Sequence, residues 1–147
     1  MTDLDDFARV GAEDHGLCVV TTQRGDGTMQ ASVVNAGVLD HPVSGVRVLG
    51  FVAMGGSRKL ANLRTRPRVT LVARVGWQWV AAEGDVELFG PDDPVTGLAS
   101  EELRLALRAV FVAAGGSHDD WDAYDRAMAE ERRTIAFVVP DRVYSNG

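Results

Sequence analysis

Along most of the 147-residue chain, short apolar runs are separated by Gly, Pro or Asp breaks. Residues 3–14 have helical spacing: Leu4, Phe7, Ala8 and Val10 share a face, Thr2 or Asp3 supplies a cap, and Gly16 stops it. Leu17 to Thr22 is short and β-branched and reads as a buried strand. Arg24-Gly25-Asp26-Gly27 reads as a hairpin turn, Thr28 to Leu39 as a second strand, and Val46 to Ala53 as a third. After Met54-Gly55-Gly56 the period turns helical over Ser57 to Arg66, with Ser57 as N-cap and Pro67 as the stop. Arg68 to Val75 and Trp77 to Phe89 are a fourth and a fifth strand around Gly76. Glu101 to Ala114 and Asp119 to Arg132 form a helical pair, followed by a last strand, Thr134 to Val139, and a short tail at Val143-Tyr144.

Six strands joined mostly by tight turns suit an antiparallel sheet closed into a small barrel, mainly β within an α+β chain. The length suits one domain, 1–147, with one core. A single cysteine, Cys18, rules out an intrachain disulfide and fits a reducing compartment. The acidic start and the lack of a long apolar run predict no signal peptide and no membrane span, hence a cytoplasmic protein.

Charge adds a sharper feature. The net charge is −6, yet His41 to Ala82 contains no Asp or Glu and carries +7, from Arg47, Arg58, Lys59, Arg64, Arg66, Arg68 and Arg74. A net acidic chain argues against general nucleic-acid binding. A basic segment on an acidic body suits a small anionic ligand. Lys59 is the only lysine.

Two glycines before a helix start let backbone N–H groups be approached closely, and the first turn carries the positive end of the helix dipole. Arg58 and Lys59 there are unfavourable for the helix itself and make sense beside a bound anion; an ordinary solvated basic helix fits the same pattern. Trp77 and Trp79, two apart on a strand, point to one face. They fit a pocket for a flat ring, although packing in a barrel or a dimer is the commoner use of Trp. Thr21, Thr22, Ser32 and Asn35 interrupt apolar strands and need polar partners, from a ligand or from backbone. His15, His41 and His118 lack ligand spacing, so no metal site is expected. Asp119, Asp120, Asp122 and Asp125 read as a solvated helix start, and Arg132-Arg133 as local ion pairing with Glu130-Glu131. No catalytic residue is assigned.

The ordered set resembles the flavin/deazaflavin oxidoreductase superfamily, the pyridoxamine 5'-phosphate oxidase-like split barrels. It comprises Leu17 to Thr22, Gly27 to Asn35, Ser57-Arg58-Lys59 through Arg64, Pro67-Arg68, Gly76-Trp77, Ala82-Glu83-Gly84, and His118 through Arg133. The Trp77–Gly84 and Trp121–Arg133 segments are most similar to the actinobacterial branch that uses coenzyme F420, an 8-hydroxy-5-deazaflavin. The resemblance implies a split β-barrel with a short phosphate-site helix and a helical pair before the last strand. It implies a homodimer with cofactor sites at the interface and hydride transfer to a small organic substrate. Cofactor contacts carry over to Ser32, Asn35, Ser57, Arg58, Lys59, Trp77 and Trp79. Ser57 stands where members often have another Arg or Lys. Arg64 and Arg66 are expected to serve the anionic F420 tail. FMN in place of F420, and a non-catalytic flavin-, F420- or haem-binding module, are the alternatives.

Overall fold

The computed structural model describes residues 1–147. Its elements are α1 (Leu4–Ala12), β1 (Leu17–Gln23), β2 (Met29–Asp40), β3 (Arg47–Ala53), α2 (Arg58–Thr65), β4 (Arg68–Val75), β5 (Gln78–Phe89), α3 (Ser100–Ala113), α4 (Trp121–Glu130) and β6 (Thr134–Ser145). The strands close into an antiparallel barrel in the order β1-β2-β3-β6-β5-β4. Closure leaves no free sheet edge.

The strand period of two divides each wall into faces. Cys18 and Val20 of β1, Leu49 and Phe51 of β3, Leu71 of β4 and Val80 of β5 fill the barrel. Phe7 and Val10 of α1, and Leu60 and Leu63 of α2, join the same cluster. Asp3 caps α1 with a reciprocal pair of hydrogen bonds to Asp6. β3 and the first half of β6, to Val138, are buried on both faces because both faces are covered. Their outward Val48, Ile135 and Phe137 pack under Ala106, Leu107 and Val110 of α3 and Tyr124 of α4.

Three expectations change. The tail Val143-Tyr144 belongs to β6, which runs on through Pro140 and pairs with β5 across an irregularity at Glu83/Gly84. Trp77 lies in the turn before β5 rather than on it. β1 is buried only at alternate positions, since Leu17 and Val19 face outward and are exposed. Cross-strand pairing extends this outer stripe from Val33 through Val19, Val72 and Ala81 to Tyr144. No helix is both long and apolar enough to cross a membrane.

The acidic start of α4 is not simply solvated. Asp120 caps the helix through Ala123 N–H, but Asp125 binds Arg108 at 2.9 and 2.5 Å and Arg104 at 2.9 Å, tying α4 to α3. These guanidinium bonds pull the Asp125 carboxyl from 3.8 down to about 2. A depressed folded pKa gives stability that is present above the unfolded value and lost as pH falls through the folded one. Thermal unfolding should therefore show a fall in Tm between about pH 4 and pH 2. Asp125→Asn should lower Tm at pH 7 and flatten that fall; an unchanged acid profile would count against the ion-pair account.

Candidate functional site

α2 begins where β3 leaves the barrel through Met54-Gly55-Gly56. Gly55 has no space for a side chain, since a Cβ would lie 2.7 Å from the Cβ and the carbonyl oxygen of Arg132. Its N–H bonds Glu131 O at 3.0 Å, holding this loop against the α4–β6 turn. Gly56 takes a φ of +82°, which glycine adopts without strain. Ser57 occupies the N-cap position as the sequence predicts, but its side chain makes no cap bond. Its Oγ is buried and has no hydrogen-bond partner. A buried hydroxyl without a partner is costly, and an anion oxygen at the helix start would satisfy it. The first turn contains no acid, and its amides have no partner within the helix.

The acid-free segment does not stay acid-free in space. Arg64 forks onto Asp93 at 2.9 and 2.7 Å. Arg68 forks onto Asp141 at 2.7 and 2.9 Å, and Arg47 pairs with Asp5. Arg58, Lys59, Arg66 and Arg74 form no ion pair. Arg64 is therefore committed to the fold, while Arg66 bonds only the neighbouring Thr65 hydroxyl, at 2.7 Å. Arg132 binds Asp92 rather than Glu130, and Arg133 binds Glu131 at 2.6 Å as local pairing predicts. Asp92 and Asp93 thus tie one loop to both α2 and the α4–β6 turn.

Between the sheet and the α3–α4 pair lies a cleft of about 430 Å³, within the usual range for a small-molecule pocket. Val52 and Asn35 lie at its sheet side, Phe111, Tyr124 and Met128 supply apolar surface, and His15 and Arg133 add polar groups. Asn35 Nδ2 donates to His15 O at 2.8 Å. His15 has a φ of 59°, uncommon outside glycine. Gly116 presses on Phe111, where a Cβ would come within 2.5 Å of the ring. The Tyr124 hydroxyl donates to Leu107 O at 3.0 Å, and burial raises its pKa to about 12, so it stays neutral and turned away from acid–base work.

The residues expected to bind cofactor are only partly brought together. Asn35 faces the cleft, and the segment Met54–Gly56 connects Val52 in that cleft to Ser57, Arg58 and Lys59. Ser32, three residues from Asn35, shares the inward-facing parity of Val34 and Ala36. Trp77 is 93% exposed and borders a different hollow, with Met1, Asp6, Arg9 and Asn146. Trp79 is half-buried and meets Tyr144 edge-on at 6.1 Å. The two tryptophans therefore do not share one strand face.

Sequence reasoning missed two features. Asn62 is buried and donates to Thr22 Oγ1 at 3.0 Å and to Gln30 Oε1 at 3.3 Å, locking α2 to the β1–β2 hairpin. Thr22 thus finds its partners within the protein. The other is the cleft's polar rim, His15 and Arg133, which no local pattern in the sequence marks. Cys18 is buried, and desolvation raises its thiol to about 12, so it is inert. No group of three or more His, Cys, Asp or Glu side chains is placed to hold a metal ion.

No family model matches the chain. Solved structures do resemble it over nearly its whole length. A conserved hypothetical protein from Mycobacterium tuberculosis superposes with a TM-score of 0.69 at 20% identity, covering 99% of this chain and 84% of that one. A pyridoxamine 5'-phosphate oxidase-related, FMN-binding protein from Nostoc punctiforme gives 0.61 at 13% identity, covering 96% and 82%. An F420 reductase gives 0.58 at 17% identity, covering 87% and 88%. At these identities the shared property is the fold, a six-stranded split barrel of the FMN-binding type.

Proposed function

We propose that this protein is an F420-dependent oxidoreductase that transfers hydride to a small organic substrate. The observation that carries the reading is the α2 start, where a buried, unpartnered Ser57 hydroxyl stands beside Arg58 and the unpaired Lys59. Ser57, Arg58 and Lys59 would hold the cofactor phosphate, and the ring would extend past Met54 toward Asn35. When bound and reduced, the deazaflavin supplies a hydride; the chain binds, orients and excludes water. The neighbours in fold include both an FMN-binding protein and an F420 reductase. The longer anionic tail of F420 favours it here, because Arg66 as well as Arg58 and Lys59 are without acidic partners.

We further propose a homodimer. The exposed stripe through Val33, Val19 and Tyr144 is apolar surface that a second copy would cover, and the exposed Trp77 is free to reach the other subunit's site. Sedimentation should give twice the monomer mass; a monomer at high concentration would leave the ring uncovered and count against the reading.

Side-by-side titration with F420 and FMN is the decisive measurement. Micromolar binding of F420, weaker binding of FMN and a protein that purifies colourless of flavin are expected. A yellow protein with flavin absorbance would shift the reading to FMN, and no binding of either would end it. Cofactor binding without turnover across enones and quinones would make the protein a carrier.

A further inference from the structure

The proposed function leaves the substrate unnamed, and the polar rim of the cleft bears on it. Three groups converge there from separate elements: His15 from the turn after α1, Asn35 from β2, and Arg133 from the turn before β6. Arg133 is bound to Glu131 through Nε alone, at 2.6 Å, and its two Nη groups make no hydrogen bond within the protein. Its side chain is 26% exposed, so the free end of the fork is partly desolvated. Asn35 spends one of its two amide N–H donors on His15 O, which leaves the other N–H and Oδ1 available. Phe111, Tyr124 and Val52 give the cleft flat apolar surface, and Phe111 and Tyr124 are in contact at 4.9 Å between centroids. Glu131 and Arg133 are the charges at this rim, and Arg132 beside them is already paired with Asp92.

A guanidinium with its Nη end free suits a planar carboxylate, which it binds in a forked geometry. An apolar, aromatic-walled slot suits the flat conjugated body attached to it. We infer that the cleft is a substrate pocket for planar conjugated carboxylates, with Arg133 gripping the carboxylate and Phe111 and Tyr124 flanking the ring or chain. His15 lines the same rim. Its carbonyl is held by Asn35, and its left-handed backbone carries a cost that glycine would avoid. That a ligand here is a substrate rests on the oxidoreductase reading, but the pocket itself is testable without cofactor.

The test is NMR titration of the cofactor-free protein with trans-cinnamate and with its neutral isostere cinnamamide. Cinnamate is expected to bind saturably, with shifts centred on the amides of Gly115, Gly116 and His15, and at least about tenfold more tightly than cinnamamide. Arg133→Gln should abolish that preference and leave cinnamamide affinity within about twofold. Arg133→Lys should recover only part of it, because an ammonium keeps the charge and loses the fork. His15→Gly should retain or raise Tm while weakening cinnamate binding. If Arg133→Gln does not fold, the His15→Gly and Arg133→Lys comparisons carry the test. Equal affinity for the two probes, shifts elsewhere on the barrel, or no saturable binding would overturn the assignment. F420 and FMN titrations of the unaltered protein run in parallel. Arg133-dependent cinnamate binding without cofactor binding sinks the oxidoreductase reading and keeps the pocket; cofactor binding without cinnamate preference does the reverse.

Discussion

Lys59→Ala is expected to weaken cofactor binding by about 1.5–3 kcal/mol, or roughly 10- to 150-fold, the range for loss of a charge-assisted bond to phosphate. The effect should be confined to binding. Lys59 forms no ion pair and is the only lysine, so no neighbouring lysine replaces it and no fold contact of its charge is lost. Tm without ligand should stay nearly constant while the titration midpoint moves. Ser57→Ala gives a second, opposite signature. Removing a buried hydroxyl that has no partner should leave the ligand-free protein as stable or slightly more stable, while cofactor affinity falls. Unchanged affinity in both variants would remove the α2 start from the site.

Gly37→Ala should be among the most damaging small substitutions. A Cβ there would overlap the carbonyl carbon and oxygen of Ala113 and sit 2.5 Å from Ala114 N. All three are backbone atoms at the C-terminal end of α3, so the helix end has to move. The expected cost is about 3 kcal/mol, or a Tm lower by roughly 10 °C. The displacement would also open the cleft, because Ala114 and Gly115 line it. Gly11→Ala is the matched control. Gly11 lies in α1, where an added methyl group would meet nothing within 4 Å, and alanine should add about 0.5–1 kcal/mol through helix propensity. Chemical denaturation of the pair decides the matter: a Gly37→Ala protein as stable as its parent would contradict the close approach of α3 to β2.

Local signals were readable where burial is one-sided or where a turn forces a residue type. Asp26-Gly27 marks the β1–β2 hairpin, Asp3 marks the start of α1, and Gly55-Gly56 with Pro67 brackets α2. The outward exposure of Val19 was not readable, because an apolar residue on an open face is indistinguishable in sequence from one in the core. Trp77 was misplaced by one residue: it ends the turn, and the period of two that would align it with Trp79 begins only at Gln78. The acid-free segment misled in a related way. Charge along the chain says nothing of partners that return from afar, and Asp93, Asp141 and Asp5 come back to neutralise Arg64, Arg68 and Arg47.

The element order, the antiparallel barrel and the expectation of an anion at the α2 start come from the amino-acid sequence alone, since each rests on periodicity or on residues within a turn of one another. Tertiary structure decided which bases stay unpaired, that the Ser57 hydroxyl is buried without a partner, and that His15, Asn35 and Arg133 meet across a cleft. Those three residues lie on separate elements, and the lateral pairing of β1, β2, β3 and β6 brings them together. Their chemistry depends on distance and desolvation, which sequence spacing does not encode.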